Sequence, residues 1–123
     1  MGVTEVPRPE DLFEGFPTSL AIYQAVQQAV SGLGQSSCRV TKSQVAFKRR
    51  KSFAFLWRPG QYIVSAVPAV LSIALPYELV CERFKEIAHP APNVWMHHIE
   101  LESDADVDDE VGAWLAEAYV NAG

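Results

Sequence analysis

Cysteine is scarce: Cys38 and Cys81 stand alone among 123 residues. Their spacing fits neither a C-x-x-C motif nor the density of a secreted disulfide scaffold, so both are read as free thiols. Long apolar runs are also missing. The longest, Ala66 to Leu75, is interrupted by Pro68 and Ser72 and falls far short of the roughly 20 residues that span a bilayer. Met1 to Glu10 carries acids and prolines where a signal peptide needs a basic patch and an apolar core. These absences predict a cytoplasmic protein with no membrane association. Familiar chemical signatures are lacking too. Ser36, Ser37 and Ser43 sit in no G-x-S-x-G elbow, and Gly32-x-Gly34 has no following Lys-Ser/Thr to hold a phosphate. The acidic run Asp104 to Glu110 has no central glycine, which a calcium loop requires.

What is present is ordinary in amount and unusual in arrangement. Hydrophobic residues make up 49% and charged residues 20%, the balance of a folded domain rather than a disordered chain. The length suits one domain, with residues 1–11 as a flexible tether and 12–123 as the folded unit. Net charge is −5, yet the signs are segregated. Seven of the ten basic residues (Arg39, Lys42, Lys48, Arg49, Arg50, Lys51 and Arg58) fall between positions 39 and 58, where there is no Asp or Glu. Eight of the fifteen acids lie from Glu100 onward, where there is no Lys or Arg. Such a chain folds into a dipolar surface that suits either an anionic partner or self-association.

Periodicity supplies the elements. From Pro17, the apolar positions Leu20, Ile22, Tyr23, Val26, Ala29, Val30 and Leu33 recur at helical spacing, and Gly32 and Gly34 supply the stop. The pattern then becomes period two. Cys38 to Lys42 alternates, and positions 44 to 58 read as a hairpin whose turn carries Arg49-Arg50-Lys51. Val70 to Leu75 reads as a strand covered on both sides. Tyr77 to His89 fits either a helical turn or a loop; the favoured reading is a loop, then a strand at Phe84 to Ala88. Pro90 to Asn93 reads as a turn, and Val94 to Leu101 as a strand with Trp95, His97, Ile99 and Leu101 on one face and Met96, His98 and Glu100 on the other. Asp106 is the expected N-cap of a last helix, with its stripe at Val111, Trp114, Leu115, Ala118 and Tyr119. The expected fold is α+β: an antiparallel β-sheet of about five strands flanked by N-terminal and C-terminal helices on one face.

Among these residues, adjacent His97 and His98 project to opposite faces of a strand and so cannot share one ion, and no metal or cofactor is expected. An inward His97 is better read as a core histidine bonded to a carbonyl or hydroxyl. The basic hairpin, interleaved with Phe47, Phe53, Phe55 and Trp57, has two readings. Cations guard an exposed strand edge, or they contact phosphates beside aromatic stacking surfaces. The candidate ligand-binding residues are Lys42, Gln44, Lys48, Arg49, Arg50, Lys51, His97 and His98, and no catalytic residue is assigned.

Several segments together resemble a known family. They are Phe13-Glu14-Gly15-Phe16-Pro17, the stretch from Val40 to Arg49, Trp57-Arg58-Pro59-Gly60, Leu71 to Pro76, and Trp95-Met96-His97-His98-Ile99-Glu100-Leu101. Their order and spacing over positions 12 to 120 resemble a bacterial domain of unknown function, domain of unknown function 5655. The resemblance carries no established activity. More distantly, Ile99 to Asp109 followed by Trp114 and Tyr119 is similar in layout to MmcQ/YjbR-like domains. That likeness implies a helix-flanked antiparallel sheet and DNA contact through β wings.

The function expected from all this is a non-enzymatic binding module that takes an anionic ligand or nucleic acid through its basic hairpin. The alternative is a protein interaction or homo-oligomerisation domain with charge-complementary ends. A third reading, an enzyme using His97 or His98 with Lys42 as acid–base groups, has the least support in the residues.

Overall fold

The structure is a computed structural model, and it describes residues 8–41, 43–61 and 63–123. Helix α1 (Pro17–Ser31) starts with its proline in the first turn, where the missing N–H is not needed. Its buried residues Ile22, Tyr23, Val26 and Val30 form the predicted stripe. Six strands follow, β1 (Ser37–Val40), β2 (Val45–Lys48), β3 (Ser52–Trp57), β4 (Ala69–Leu75), β5 (Phe84–Ala91) and β6 (Val94–Leu101), and helix α2 (Asp109–Asn121) closes the chain. The sheet order is β1-β2-β3-β4-β6-β5, and every neighbouring pair is antiparallel.

The sheet has six strands where about five are expected, the alternating stretch from Cys38 supplying the edge strand β1. The Thr41 hydroxyl accepts the N–H groups of Ser43 and Gln44 and so turns β1 into β2. Two boundaries also shift. Strand β5 runs on through Pro90 to Ala91, which a proline tolerates because β5 lies at the sheet edge and its N–H side needs no partner. The cap of α2 is Asp108, whose carboxylate accepts the Val111 N–H at 3.1 Å. The expected cap, Asp106, sits in a preceding 3₁₀ turn and accepts the Glu102 N–H instead.

Register sorts the strand residues into cross-strand rows. One row runs Phe47, Ala54, Ile73, His97, and beside it Val45, Leu56, Leu71, Ile99, Phe84; all nine are buried. Tyr23 of α1 stacks between Phe13 and Phe47, and Trp114 of α2 meets Phe84 with ring centroids 4.5 Å apart. Phe13, fully buried, brings the 3₁₀ turn Pro9–Phe13 into the core. Residues 1–7 of the expected tether lie outside the described residues. The alternate row runs Arg39, Ala46, Phe55, Ser72, His98, Glu86. No described helix is long and apolar enough to cross a membrane.

Candidate functional site

The eight candidate residues separate into distinct places. Lys42 lies outside the described residues. His97 is wholly buried on β6, and both its ring nitrogens are occupied. The Leu79 N–H donates to Nε2 at 2.9 Å, so the ring proton resides on Nδ1 and is donated to the Ile73 carbonyl at 3.2 Å. With its ring packed against Phe84 at 4.9 Å, His97 is a structural polar group of the core, as the lone-histidine argument anticipated. His89 is likewise engaged, stacked on Trp95 with centroids 3.7 Å apart.

The basic hairpin turn is anchored by its backbone. Arg50 N–H and Lys51 N–H both donate to the Ala122 carbonyl, at 3.1 and 3.0 Å, which satisfies an end group that α2 cannot satisfy itself. Arg49 adds a guanidinium bond to the Tyr119 carbonyl at 3.1 Å and lies over the Tyr119 ring at 4.4 Å. A cation held at the negative end of a helix is stabilised by the aligned peptide dipoles. Arg49 therefore has a structural occupation. Among the described residues the side chains of Lys48, Arg50 and Lys51 make no ion pair or hydrogen bond, and all three are exposed. The only described ion pairs join Arg8 to Asp11 and Arg83 to Asp108 and Glu110. The acids around the start of α2 are thus met by Arg83, whose guanidinium also reaches the Asp106 carbonyl.

Gln44 and His98 do come together, in a shallow open cavity of about 360 Å³ lined by Gln44, Phe55, Trp57, Ser72, Met96 and His98. A second hollow of about 400 Å³, lined by Gln44, Trp57, Pro59 and Ile63, shares Gln44 and Trp57 with it. The polar floor is connected. Trp57 Nε1–H donates to Ser72 Oγ at 3.1 Å, and Ser72 Oγ lies 2.6 Å from His98 Nδ1. Burial pushes the His98 imidazole below its ordinary range; Glu86 across the strand pair favours the charged form and His97 opposes it. The lowered value favours the neutral form of the His98 ring near pH 7. The Ser72–His98 distance is that of a nucleophile–base pair, but Ser72 is only 3% exposed and its oxygen already accepts from Trp57, an arrangement that positions His98.

Trp57 and Ser72 were not among the sequence candidates. The signal was present in the alternation: Phe55 and Trp57 on β3 share a face, and Ser72 is the one polar residue in the apolar run of β4. Only the strand order β3-β4-β6 shows that they neighbour His98. Among the described residues no three His, Cys, Asp or Glu side chains gather to hold a metal. Cys38 on β1 is exposed as a residue, while partial desolvation of its sulfur pushes the thiol up and Tyr23 acts against that shift.

A family model, Domain of unknown function (DUF5655), matches residues 10–122. The chain belongs to that family. No curated protein and no solved structure matches this DUF5655 chain, and none of these comparisons supports the expected similarity to MmcQ/YjbR-like domains.

Proposed function

We propose that the chain is a non-enzymatic binding module whose recognition surface is the sheet face opposite its helices, and that it takes an anionic ligand, single-stranded nucleic acid being the form the surface fits best. Support for a common helical side comes from the rows. Phe47, which meets α1, and Phe84, which meets α2, belong to adjacent rows of one face. The Arg39-to-Glu86 row then lies on the other face, with the Gln44–His98 cavity at its middle. Lys48 stands two residues along β2 from Ala46, a step of about 7 Å, and Arg50 and Lys51 continue beyond it. A strand laid from the cavity toward the hairpin meets apolar and hydrogen-bonding walls first and cations next, the combination that single-strand binders use.

The observation that carries this reading is the absence of any carboxylate partner for Lys48, Arg50 and Lys51 among the described residues. The test is a titration of a fluorescent eight-nucleotide oligothymidylate, followed by anisotropy between about 50 and 200 mM salt. Wild type is expected to bind with steep salt dependence, and Lys48→Ala/Arg50→Ala/Lys51→Ala to lose affinity and reduce the slope by about 2, near 0.7 per phosphate contact removed. Equal, salt-insensitive binding by both proteins would refute the proposal.

A second reading follows from the charge order across the same face, with Arg39 at the β1 edge and Glu86 at the β5 edge. A two-fold pairing of copies sets each against its opposite. Sedimentation at low salt separates the two readings: a concentration-dependent dimer supports pairing, and a monomer removes it.

A further inference from the structure

The polar floor of the cavity has a direction, and that direction fixes what the cavity offers to a ligand. Trp57 Nε1–H is a donor only, so the bond to Ser72 Oγ at 3.1 Å occupies a lone pair of that oxygen. Ser72 is 3% exposed, which leaves its hydroxyl hydrogen little recourse to water, and the acceptor at hand is His98 Nδ1, 2.6 Å away. A serine hydroxyl donating to Nδ1 requires that nitrogen to be unprotonated. The neutral ring then carries its proton on Nε2, which has no partner among the described residues and belongs to a side chain lining the cavity.

We propose that Trp57, Ser72 and His98 form a one-way hydrogen-bond relay that holds His98 as its Nε2–H tautomer, so that the cavity presents a neutral N–H donor to a ligand bearing a carbonyl acceptor on a flat ring, as a pyrimidine base does. This rests on the binding reading above and specifies the part of the ligand that enters the cavity. The Gln44 amide on the same cavity wall adds one donor and one acceptor, and Phe55 and Met96 supply apolar contact. With Nδ1 taken by Ser72, the Nε2–H facing the cavity suits an acceptor atom, burial disfavours the charged ring, and charge recognition is left to Lys48, Arg50 and Lys51. The neighbouring His97 shows the opposite choice, its proton fixed on Nδ1 by the Leu79 N–H. Two adjacent histidines in one strand therefore carry opposite tautomers, His97 because a backbone N–H can only donate to its ring, His98 because its Nδ1 is the acceptor at hand for the Ser72 hydroxyl hydrogen.

Two measurements test this separately from the parent reading. Long-range proton–nitrogen correlation spectra of uniformly ¹⁵N-labelled protein near pH 7.5 report the tautomer of each ring without any ligand. The expected result is Nε2–H for His98 and Nδ1–H for His97, with His98 losing its single tautomer in Ser72→Ala. A His98 found as Nδ1–H overturns the relay. For the ligand, the eight-nucleotide oligothymidylate is compared with an abasic strand of equal length. The His98 hydrogen bond is expected to contribute about tenfold to the preference for the thymidylate, and His98→Phe to reduce the preference by that factor, the remainder being supplied by Gln44, Phe55 and Met96. An undiminished preference in His98→Phe overturns the base assignment. Failure of both strands to bind wild type overturns the parent reading and the base assignment together, while the spectra still decide the relay.

Discussion

His97 and His98 have the same chemistry and adjacent positions, and the sheet gives them unrelated work. A one-residue step along β6 moves a side chain from the packed row, where every polar atom must find a protein partner, to the row that lines the cavity. The consequence for His98 can be measured. Its folded-state pKa is lowered from 6.5, chiefly by burial, so the unfolded chain takes up the proton first. Stability is therefore complete above about pH 6.5 and declines as pH falls from that value toward the depressed folded-state pKa, below which this contribution is flat. Urea denaturation at pH 7.5 and 5.5 should show a smaller decline in His98→Gln than in wild type; an equal decline would show that other groups carry the acid sensitivity. The opposite facing of the two rings was legible from strand period alone. Ser72 was not, because its role depends on β4 lying between β3 and β6, a long-range pairing that no local pattern encodes.

At the scale of elements, α2 shows how one helix organises both charge poles. Its first turn is held by the Asp108 cap and by Arg83, which bridges Asp108 and Glu110. The Val111 N–H and the Arg83 guanidinium together hold the Asp108 carboxyl below its usual range. Its last turn is closed by Arg50 N–H, Lys51 N–H and the Arg49 guanidinium. Arg49→Ala should lower stability by about 1 kcal/mol, from the lost charged hydrogen bond and dipole interaction. Lys51→Ala should stay within about 0.5 kcal/mol, since its side chain has no described partner and its anchoring N–H is kept. Urea midpoints with unchanged slopes would verify both, and equal costs would mean that the turn is held by its backbone alone. The amphipathic stripes and the period-two segments had placed both helices and the strand segments. The misplaced cap has a simple cause: Asp106, Asp108 and Asp109 are all chemically adequate caps, and the choice is made by the 3₁₀ turn that uses Asp106 for Glu102. Nor could sequence divide four consecutive cations into one helix-capping arginine and three exposed side chains, because the helix end that engages Arg49 lies some seventy residues away.

For the molecule as a whole, the arrangement of charge matters more than its sum. The net −5 forecasts repulsion from any anionic surface, but the acidic start of α2 and the basic hairpin at its other end are separated by the helix's 13 residues, about 20 Å at 1.5 Å per residue. That exceeds the Debye length of about 10 Å at 0.1 M salt, so the two poles act independently on a partner close to either one. Arg83 further reduces the acidic pole locally, while no carboxylate among the described residues does the same for Lys48, Arg50 or Lys51. At pH 7.5 and moderate salt, wild type should be retarded on a sulfonate matrix although it is an acidic protein. Lys48→Ala/Arg50→Ala/Lys51→Ala should pass straight through, with its far-UV spectrum and urea midpoint unchanged. The matrix carries no bases, so it reads the hairpin independently of the cavity. Co-elution of the two proteins would mean that the molecular average governs encounter after all, and the hairpin would then be only a guarded turn on which α2 comes to rest.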